Sequence, residues 1–291
     1  VEMLAAVWQR NRRPESALSV DEACVPFRGR HRARQFNPHK PDRYHLKLYS
    51  LNEARTSYCL NLFFYQGKDE KRPPGISTTA FPFVRLIGEN PALHNKGYHV
   101  FGDNWFTSLL AISILLTFGV GYTGTVRANR MGGVFDTKFK GKRGAFRVRA
   151  RGLGTAEPLY AFTWMDSKPV NMLSTVLGTA GMVSRGEKGK EGYNRLTVTC
   201  PSIYGAYNHG MGGTDVMDQM VKAYYRNNRF KWPLKVFVHL MYVCMNNAHI
   251  TYLEIVKKTK KKLPLLDFIL MVVNEFKPPT QSPPSSPRSP E

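Results

Sequence analysis

Leu18-Ser19-Val20-Asp21-Glu22 runs on into Val25-Pro26-Phe27-Arg28-Gly29-Arg30, and the rest of the chain is read outward from this stretch. An alternating apolar segment ends in two acids, meets a proline and opens onto arginines. It predicts a strand over 18–21, broken by Pro26, with a carboxylate at the strand end beside a basic surface. That pairing points to metal-assisted chemistry on phosphates. Two other segments finish alike. Tyr98-His99-Val100-Phe101-Gly102-Asp103-Asn104 is strand-like up to its aspartate. Gly212-Gly213-Thr214-Asp215-Val216-Met217-Asp218-Gln219 sets two aspartates at the start of a helix. Asp21, Asp103 and Asp215 are therefore expected to converge, although 82 and 112 residues separate them in sequence.

Phosphoryl transfer on nucleic acid is served by two divalent cations roughly 3.5–4 Å apart. Mg²⁺ takes oxygen ligands, so several carboxylates must meet on rigid mounts. A strand end is such a mount. So is a first helical turn, where the dipole also favours negative charge. Each acid has a plainer reading as well. Asp21 can start a turn before Pro26, and Asp103-Asn104 can cap a helix from Thr107. Asp215 and Asp218 can cap their own helix and pair with Lys222 one turn on.

The 291 residues suffice for one large domain or two smaller ones. The 42 Lys+Arg against 21 Asp+Glu leave a net charge of +21, which favours nucleic acid or an anionic surface as partner. Arg28, Arg30, Arg32, Arg34 and Lys40 follow directly on Asp21. The cysteines Cys24, Cys59, Cys200 and Cys244 are far apart and read as buried thiols, not as a zinc ribbon or disulfide framework. His31, His39, His45 and His99 lack metal-ligand spacing, and no Ser or Cys nucleophile signature or phosphate-binding glycine loop is present. The longest apolar run, around 109–116, falls short of the roughly 20 residues a bilayer span needs. No secretory leader is visible. The chain opens with Val1 in helix-like material and reads as a fragment. The run 257–262 is either a nuclear-import signal or the polar end of a helix.

Periodicity orders the elements. Residues 1–17 form a basic helix or linker. Strands at 44–51 and 58–65 make an antiparallel hairpin, and with the first strand a three-stranded meander. A helix at 78–87 is interrupted by Pro82. A strand at 98–103, a buried helix at 107–118 and a strand at 122–126 follow. Residues 127–157 are basic and Gly-rich, 159–165 and 170–177 are strands, and 184–195 is a polar Gly- and Lys-rich loop. The helix 212–225 carries Met217, Met220, Val221 and Tyr224 as its apolar stripe. A turn spans 227–231, helices span 232–257 and 263–276, and 277–291 is expected to be disordered. The fold class is α+β with a mixed central sheet. It matches the ribonuclease-H-like layout, with acids on the first and fourth strands and a later helix.

The motifs resemble one family. Asp21-Glu22-x-x-Val25-Pro26-Phe27-Arg28-Gly29-Arg30 with Lys40-Pro41 resembles the first catalytic block of piggyBac-type transposases. Asp103-Asn104-Trp105-Phe106-Thr107-Ser108 resembles the second, continued by Gly124-Thr125-Val126-Arg127-x-Asn129-Arg130. Tyr207-Asn208 through Met211-Gly212-Gly213-Thr214-Asp215-x-x-Asp218-Gln219 resembles the third, and runs into Tyr224-Tyr225 and Lys231-Trp232. The likeness spans residues from about 15 to 256. It implies a ribonuclease-H-like catalytic core with an inserted β-rich segment, divided as 1–126, 127–183, 184–276 and a tail 277–291. It implies a cut-and-paste DNA transposase in which Asp21, Asp103 and Asp215 bind two Mg²⁺ ions, with Mn²⁺ as a substitute, and Asp218 supports them. No zinc is expected. Water and then a 3′-hydroxyl would attack phosphodiesters in turn, through DNA hairpins and at TTAA targets. Arg28, Arg30, Arg34, Lys40, Asn104, Arg127, Arg130, Arg229 and Lys231 are the expected DNA contacts. The partners are double-stranded DNA at transposon ends and a second copy of the chain, in the nucleus and away from membranes. Little sequence precedes Asp21 and nothing cysteine-rich follows Lys262, whereas relatives carry DNA-reading modules there. The alternative is a domesticated, transposase-derived DNA-binding protein with little or no catalysis.

Overall fold

Strand β1 (Ala17–Pro26) is the axis of the sheet, and it does not stop at the acids. Its antiparallel ladder with β3 (Tyr44–Glu53) runs from Leu18↔Glu53 to Pro26↔His45, so Asp21 and Glu22 lie in mid-strand on that side. The strand expected to finish at 21 is longer because Ala23, Cys24 and Val25 are buried against the same sheet. The computed structural model describes residues 1–67, 72–130, 139–153, 158–189, 192–224, 230–256 and 263–277.

Nine described strands form the main sheet. The order is β2 (Gln35–Phe36), β3, β1, β5 (His99–Gly102), β6 (Gly121–Thr125), β9 (Pro169–Ser174), β8 (Leu159–Met165) and β7 (Phe146–Arg151), with β4 (Cys59–Phe64) also on β3. β1, β5 and β6 are parallel and the other pairs antiparallel, which makes the sheet mixed. The expected β3–β4 hairpin is present. Helix α3 (Leu109–Thr117) links β5 to β6 and is apolar on all sides, as a buried crossover should be. Beneath these strands Tyr49, Phe83, Phe106 and Tyr122 are fully buried, and their rings meet edge to face. A second cluster gathers Phe101, Phe162, Trp164, Tyr204 and Tyr207.

Four elements depart from expectation. The segment read as a polar loop at 184–195 belongs to a hairpin, β10 (Ala180–Gly189) with β11 (Gly192–Pro201), paired from Ala180↔Pro201 to Gly189↔Gly192. Few of its described side chains are buried; Val198 and Cys200 are, in the alternating run Leu196-Thr197-Val198-Thr199-Cys200, whereas the Gly- and Lys-rich residues before that run show no such pattern. Helix α4 (Ser202–Gly210) was not foreseen, because Gly205, Asn208 and Gly210 are poor helix formers. In helix α5 (Gly213–Ala223) the buried face is Gly213, Thr214, Met217 and Val221, while Met220 and Tyr224 are exposed. The expected helix at 78–87 is one α-turn, α2 (Phe81–Phe83), that opens into a π-turn over Val84–Gly88. At the N-terminal side α1 (Glu2–Asn11) buries Ala5 and Trp8.

The chain divides into two units, Val1–Asn247 and Ala248–Glu291. Helix α6 (Trp232–Ile255) begins in the first, where the Trp232 ring lies 4.7 Å from that of His31 and stacks on Phe64 at 5.8 Å. In the second, α7 (Leu265–Glu275) sets Phe268 against His249 and Tyr252, with ring centroids 5.3 and 5.4 Å apart. No helix among the described residues is long and apolar enough to cross a membrane. The basic run 257–262, the tail 278–291, most of the turn expected at 227–231 and parts of the middle segment lie outside the described residues.

Candidate active site

The parallel register of β1 and β5 ends at Val20↔Gly102, and the next residue on each strand is an aspartate. Asp21 and Asp103 thus leave adjacent strands at one level. After Asp103 the chain turns. Asp103 Oδ1 accepts from the amides of Trp105 (2.8 Å) and Phe106 (3.4 Å). Its carbonyl accepts from the Thr107 hydroxyl at 2.8 Å, and that hydroxyl meets Tyr122 Oη at 2.8 Å. A Cβ at Gly102 would stand 2.7 Å from Tyr122 Oη, and one at Gly124 2.5 Å from it, so the strand before Asp103 requires glycine to lie over this phenol. Asp103 does not cap α3. Ser108 does, accepting from the Ala111 amide at 3.2 Å.

Asp215 is delivered by the first turn of α5, which is clamped to the sheet. Ser19 Oγ donates to the Met211 carbonyl at 2.8 Å, and Thr214 Oγ1 donates to Asn52 Oδ1 at 3.1 Å. Gly213 sits so close that a Cβ there would be 2.8 Å from the Glu53 carbonyl and 3.1 Å from Ser19 Cβ. Ser19 and Asp21 are two residues apart and share a face of β1, so the clamp holds α5 on the Asp21 side.

Asp103 and Asp215 lie within electrostatic reach of Asp21. Burial pushes the Asp21 carboxyl up to about 7. The Glu22 amide, donating to Oδ1 at 2.7 Å, opposes this, while the charges of Asp103, Asp215 and Glu22 add to it. Burial also raises Asp103, offset by its two amides; Glu22 pushes the same way as burial and Arg130 opposes it. The second oxygens of Asp21 and Asp103 make no hydrogen bond among the described residues. The donors are all carboxylate oxygens, a set suited to a hard cation such as Mg²⁺ or Mn²⁺. They face one another at electrostatic range. Among the described residues no three His, Cys, Asp or Glu side chains stand tightly enough to hold an ion as they are.

Asp218 is paired within its own helix. Its Oδ2 accepts from Lys222 Nζ at 2.8 Å, the plainer pairing open in the sequence. Burial raises its carboxyl, against the pull of Lys222, the nearby Cys24 amide and Lys40; Oδ1 has no partner in hydrogen-bonding geometry. Burial works against the Lys40 ammonium, but Cys24, Glu22, Asp21 and Asp218 together hold its pKa above the ordinary value.

Residues 1–249 match the family model described as transposase IS4. The chain belongs to this transposase family. Its relatives are of the piggyBac type. PiggyBac transposable element-derived protein 3 of Homo sapiens is 28% identical over 275 residues, 90% of this chain and 44% of that protein. PiggyBac transposable element-derived protein 2 of Homo sapiens is 27% identical over 250 residues, 83% of this chain and 41% of that protein. A cryo-EM structure of the piggyBac transposase synaptic complex with hairpin DNA matches with a TM-score of 0.74 at 21% identity, covering 96% of this chain and 58% of that one. This last likeness carries the fold, the mixed α+β architecture with a ribonuclease-H-like core. The chain spans less than half the length of these two human relatives.

The basic residues of this transposase-family chain divide by what they touch. Arg28, Arg30, Arg127 and Lys231 are exposed. Arg34 Nη1 instead donates to the carbonyls of Arg28 (3.0 Å) and Gly29 (2.9 Å), and its guanidinium lies over the Tyr44 ring. It braces the arginine loop. Arg130 braces the Asp103 turn by donating to the Asn104 and Trp105 carbonyls. Asn104 is half-buried in that turn, and Lys40 is half-buried. Arg229 lies outside the described residues. Sequence reasoning assigned no role to two neighbours of the acids. Glu22 pairs with Lys47 at 2.9 Å, whose ammonium is enclosed by Tyr49, Tyr65 and Trp105 at 4.8, 4.8 and 5.1 Å. Tyr207 also lies within electrostatic reach of Asp103, Asp21 and Asp215. Its place at the head of the third motif block was the available signal.

Proposed function

We propose that this chain carries the catalytic core of a DNA transposase, in which Asp21, Asp103 and Asp215 hold two Mg²⁺ ions, or Mn²⁺, for phosphodiester cleavage and strand transfer. One observation carries the reading. Two neighbouring parallel strands both continue into an aspartate at the level where their pairing ends, with a third acid on the clamped helix beside them. Elsewhere in the same sheet a buried acid is paired, as Glu53 is with Arg12. An uncompensated group of acids is a recognised mark of a functional site. When bound, the ions would supply Lewis acidity and an activated water.

The chain's own residues do the positioning. Backbone amides fix one oxygen each of Asp21 and Asp103 and leave the other for coordination. Arg28 and Arg30, just beyond Pro26, offer guanidinium groups to backbone phosphates. Arg34 and Arg130 keep the arginine loop and the Asp103 turn in shape. Asp218, one turn after Asp215 on the same helix and paired with Lys222, would support the three acids from outside their group. The substrate on this reading is double-stranded DNA at TTAA-flanked transposon ends, acted on in the nucleus by a pair of chains.

The test is nicking of a labelled duplex with a TTAA-flanked end in Mg²⁺ or Mn²⁺. Cation-dependent nicking that disappears in Asp103→Ala is the expected result. Salt-sensitive binding without cleavage, equal in both proteins, rejects it and favours a transposase-derived DNA-binding protein. That second reading is motivated by the names of the two human relatives, both called element-derived proteins.

A further inference from the structure

Tyr207 enters the acid group from α4. Its ring is buried, 8% exposed, in the cluster that includes Phe101 and Tyr204. Its hydroxyl lies 3.4 Å from Thr125 Oγ1. Thr125 follows Gly124, which pairs with Gly102, so Thr125 stands level with Asp103 on the next strand. The phenol therefore ends where β1, β5 and β6 present Asp21, Asp103 and Thr125 side by side. Burial first, and then Asp103, Asp21 and Asp215, hold its proton on. A phenol so placed is a donor and not a base. Among the described residues no carboxylate accepts from it, and the Thr125 contact is long, so its proton is free for an acceptor that arrives with the substrate. The acids keep their oxygens for cations. The remaining acceptor in a phosphodiester site is the phosphate itself.

We propose that Tyr207 is a catalytic residue of the transposase reaction, its phenolic O–H donating to a non-bridging oxygen of the scissile phosphate, with Thr125 as the positioning residue that holds the hydroxyl. The inference rests on the reading of Asp21, Asp103 and Asp215 as the cation site. The phenol acts as a fixed donor aimed at charge that grows in the transition state.

The test compares the wild-type chain with Tyr207→Phe, which keeps the ring in its packing and removes only the hydroxyl. Single-turnover nicking in Mn²⁺ is expected to slow about 10- to 100-fold. The rise in Tm that Mn²⁺ produces is expected to be the same in both proteins. Equal nicking rates overturn the proposal. Loss of the Mn²⁺-induced rise together with the rate also overturns it, since Tyr207 would then be shaping the acids. No Mn²⁺-induced rise in the wild type rejects the cation site, and the proposal falls with it. A wild type that gains Tm from Mn²⁺ yet does not cut rejects the enzymatic reading alone, and duplex binding in Ca²⁺ then decides for Tyr207. A several-fold loss of affinity in Tyr207→Phe, abolished when the phosphate at the TTAA boundary is a methylphosphonate, supports the phosphate contact. Equal affinities overturn it.

Discussion

Glu53 and Asp21 sit three rungs apart on the same ladder, Glu53 opposite Leu18 and Asp21 opposite Ser50. Glu53 is fully buried and fully met. It takes the Arg12 guanidinium, the Thr56 hydroxyl and, at 2.7 Å, the Glu15 amide. Arg12 in turn lies over the Tyr58 ring at 4.9 Å. Asp21 is less buried, has one amide, and faces the like charges of Asp103, Asp215 and Glu22. The two acids share one ladder, Asp21 on β1 and Glu53 on β3. They differ in whether the fold supplies their counter-charge. Where it does, the acid ties α1 and its following segment to the sheet. Where it does not, the site is left for a charge from outside.

The contrast can be broken most sharply at the chemistry. Asp21→Asn is expected to lower cation-dependent nicking at least about 10³-fold, while Glu53→Gln, in whatever fraction folds, leaves the rate per folded molecule within a few-fold; single-turnover assays check this. On stability the order reverses. Glu53→Ala strands the Arg12 charge and should cost about 3–5 kcal/mol in urea unfolding. Asp21→Asn should instead stabilise the cation-free protein. The folded Asp21 carboxyl sits at about 7 against an ordinary 3.8, so the folded state binds a proton that the unfolded chain gives up. Its contribution is present below pH 4 and is lost as pH rises through 7. The gain from Asp21→Asn should therefore be near zero at pH 4 and reach about 2–4 kcal/mol by pH 8, read from urea curves at the two pH values. A flat difference across that range would show that Asp21 is not poised as described. At the small end lies Glu89→Ala, which removes an exposed one-turn pair with Arg85 at 3.1 Å. It should move stability by less than about 0.5 kcal/mol, the floor against which the other effects are judged by the same unfolding experiment.

Much of this site was legible because its signals are local. Asp103 follows a strand and Asp215 opens a helix as their own stretches dictate, so Val100-Phe101-Gly102-Asp103 and Met211-Gly212-Gly213-Thr214-Asp215 could be read without knowing their neighbours, whereas the strand of Asp21 runs on past it to Pro26. What stayed hidden depends on partners far along the chain. β10 and β11 are held by backbone pairing with little burial, and their alternating run, Leu196-Thr197-Val198-Thr199-Cys200, lies just beyond the segment read as a loop. Helix α4 exists because Gly210 lets its end lie against Phe101, where a Cβ would stand 2.3 Å from the ring. Its local propensity argues against it. The diversion of Asp218 to Lys222 and of Arg34 and Arg130 to carbonyls was likewise invisible, since a charge count cannot separate a brace from a free hand.

The join of β6 to β9 has a mechanical consequence. Thr123, Gly124 and Thr125 are matched on one edge to Ser174, Leu173 and Met172, and the first two pair on the other edge with Phe101 and Gly102 of β5. The strands from 146 to 174 thus continue the sheet outward from the wall of the acid group through these three rungs. Whatever grips that distant edge would act on Thr125 through paired strands, β7 to β8 to β9 to β6.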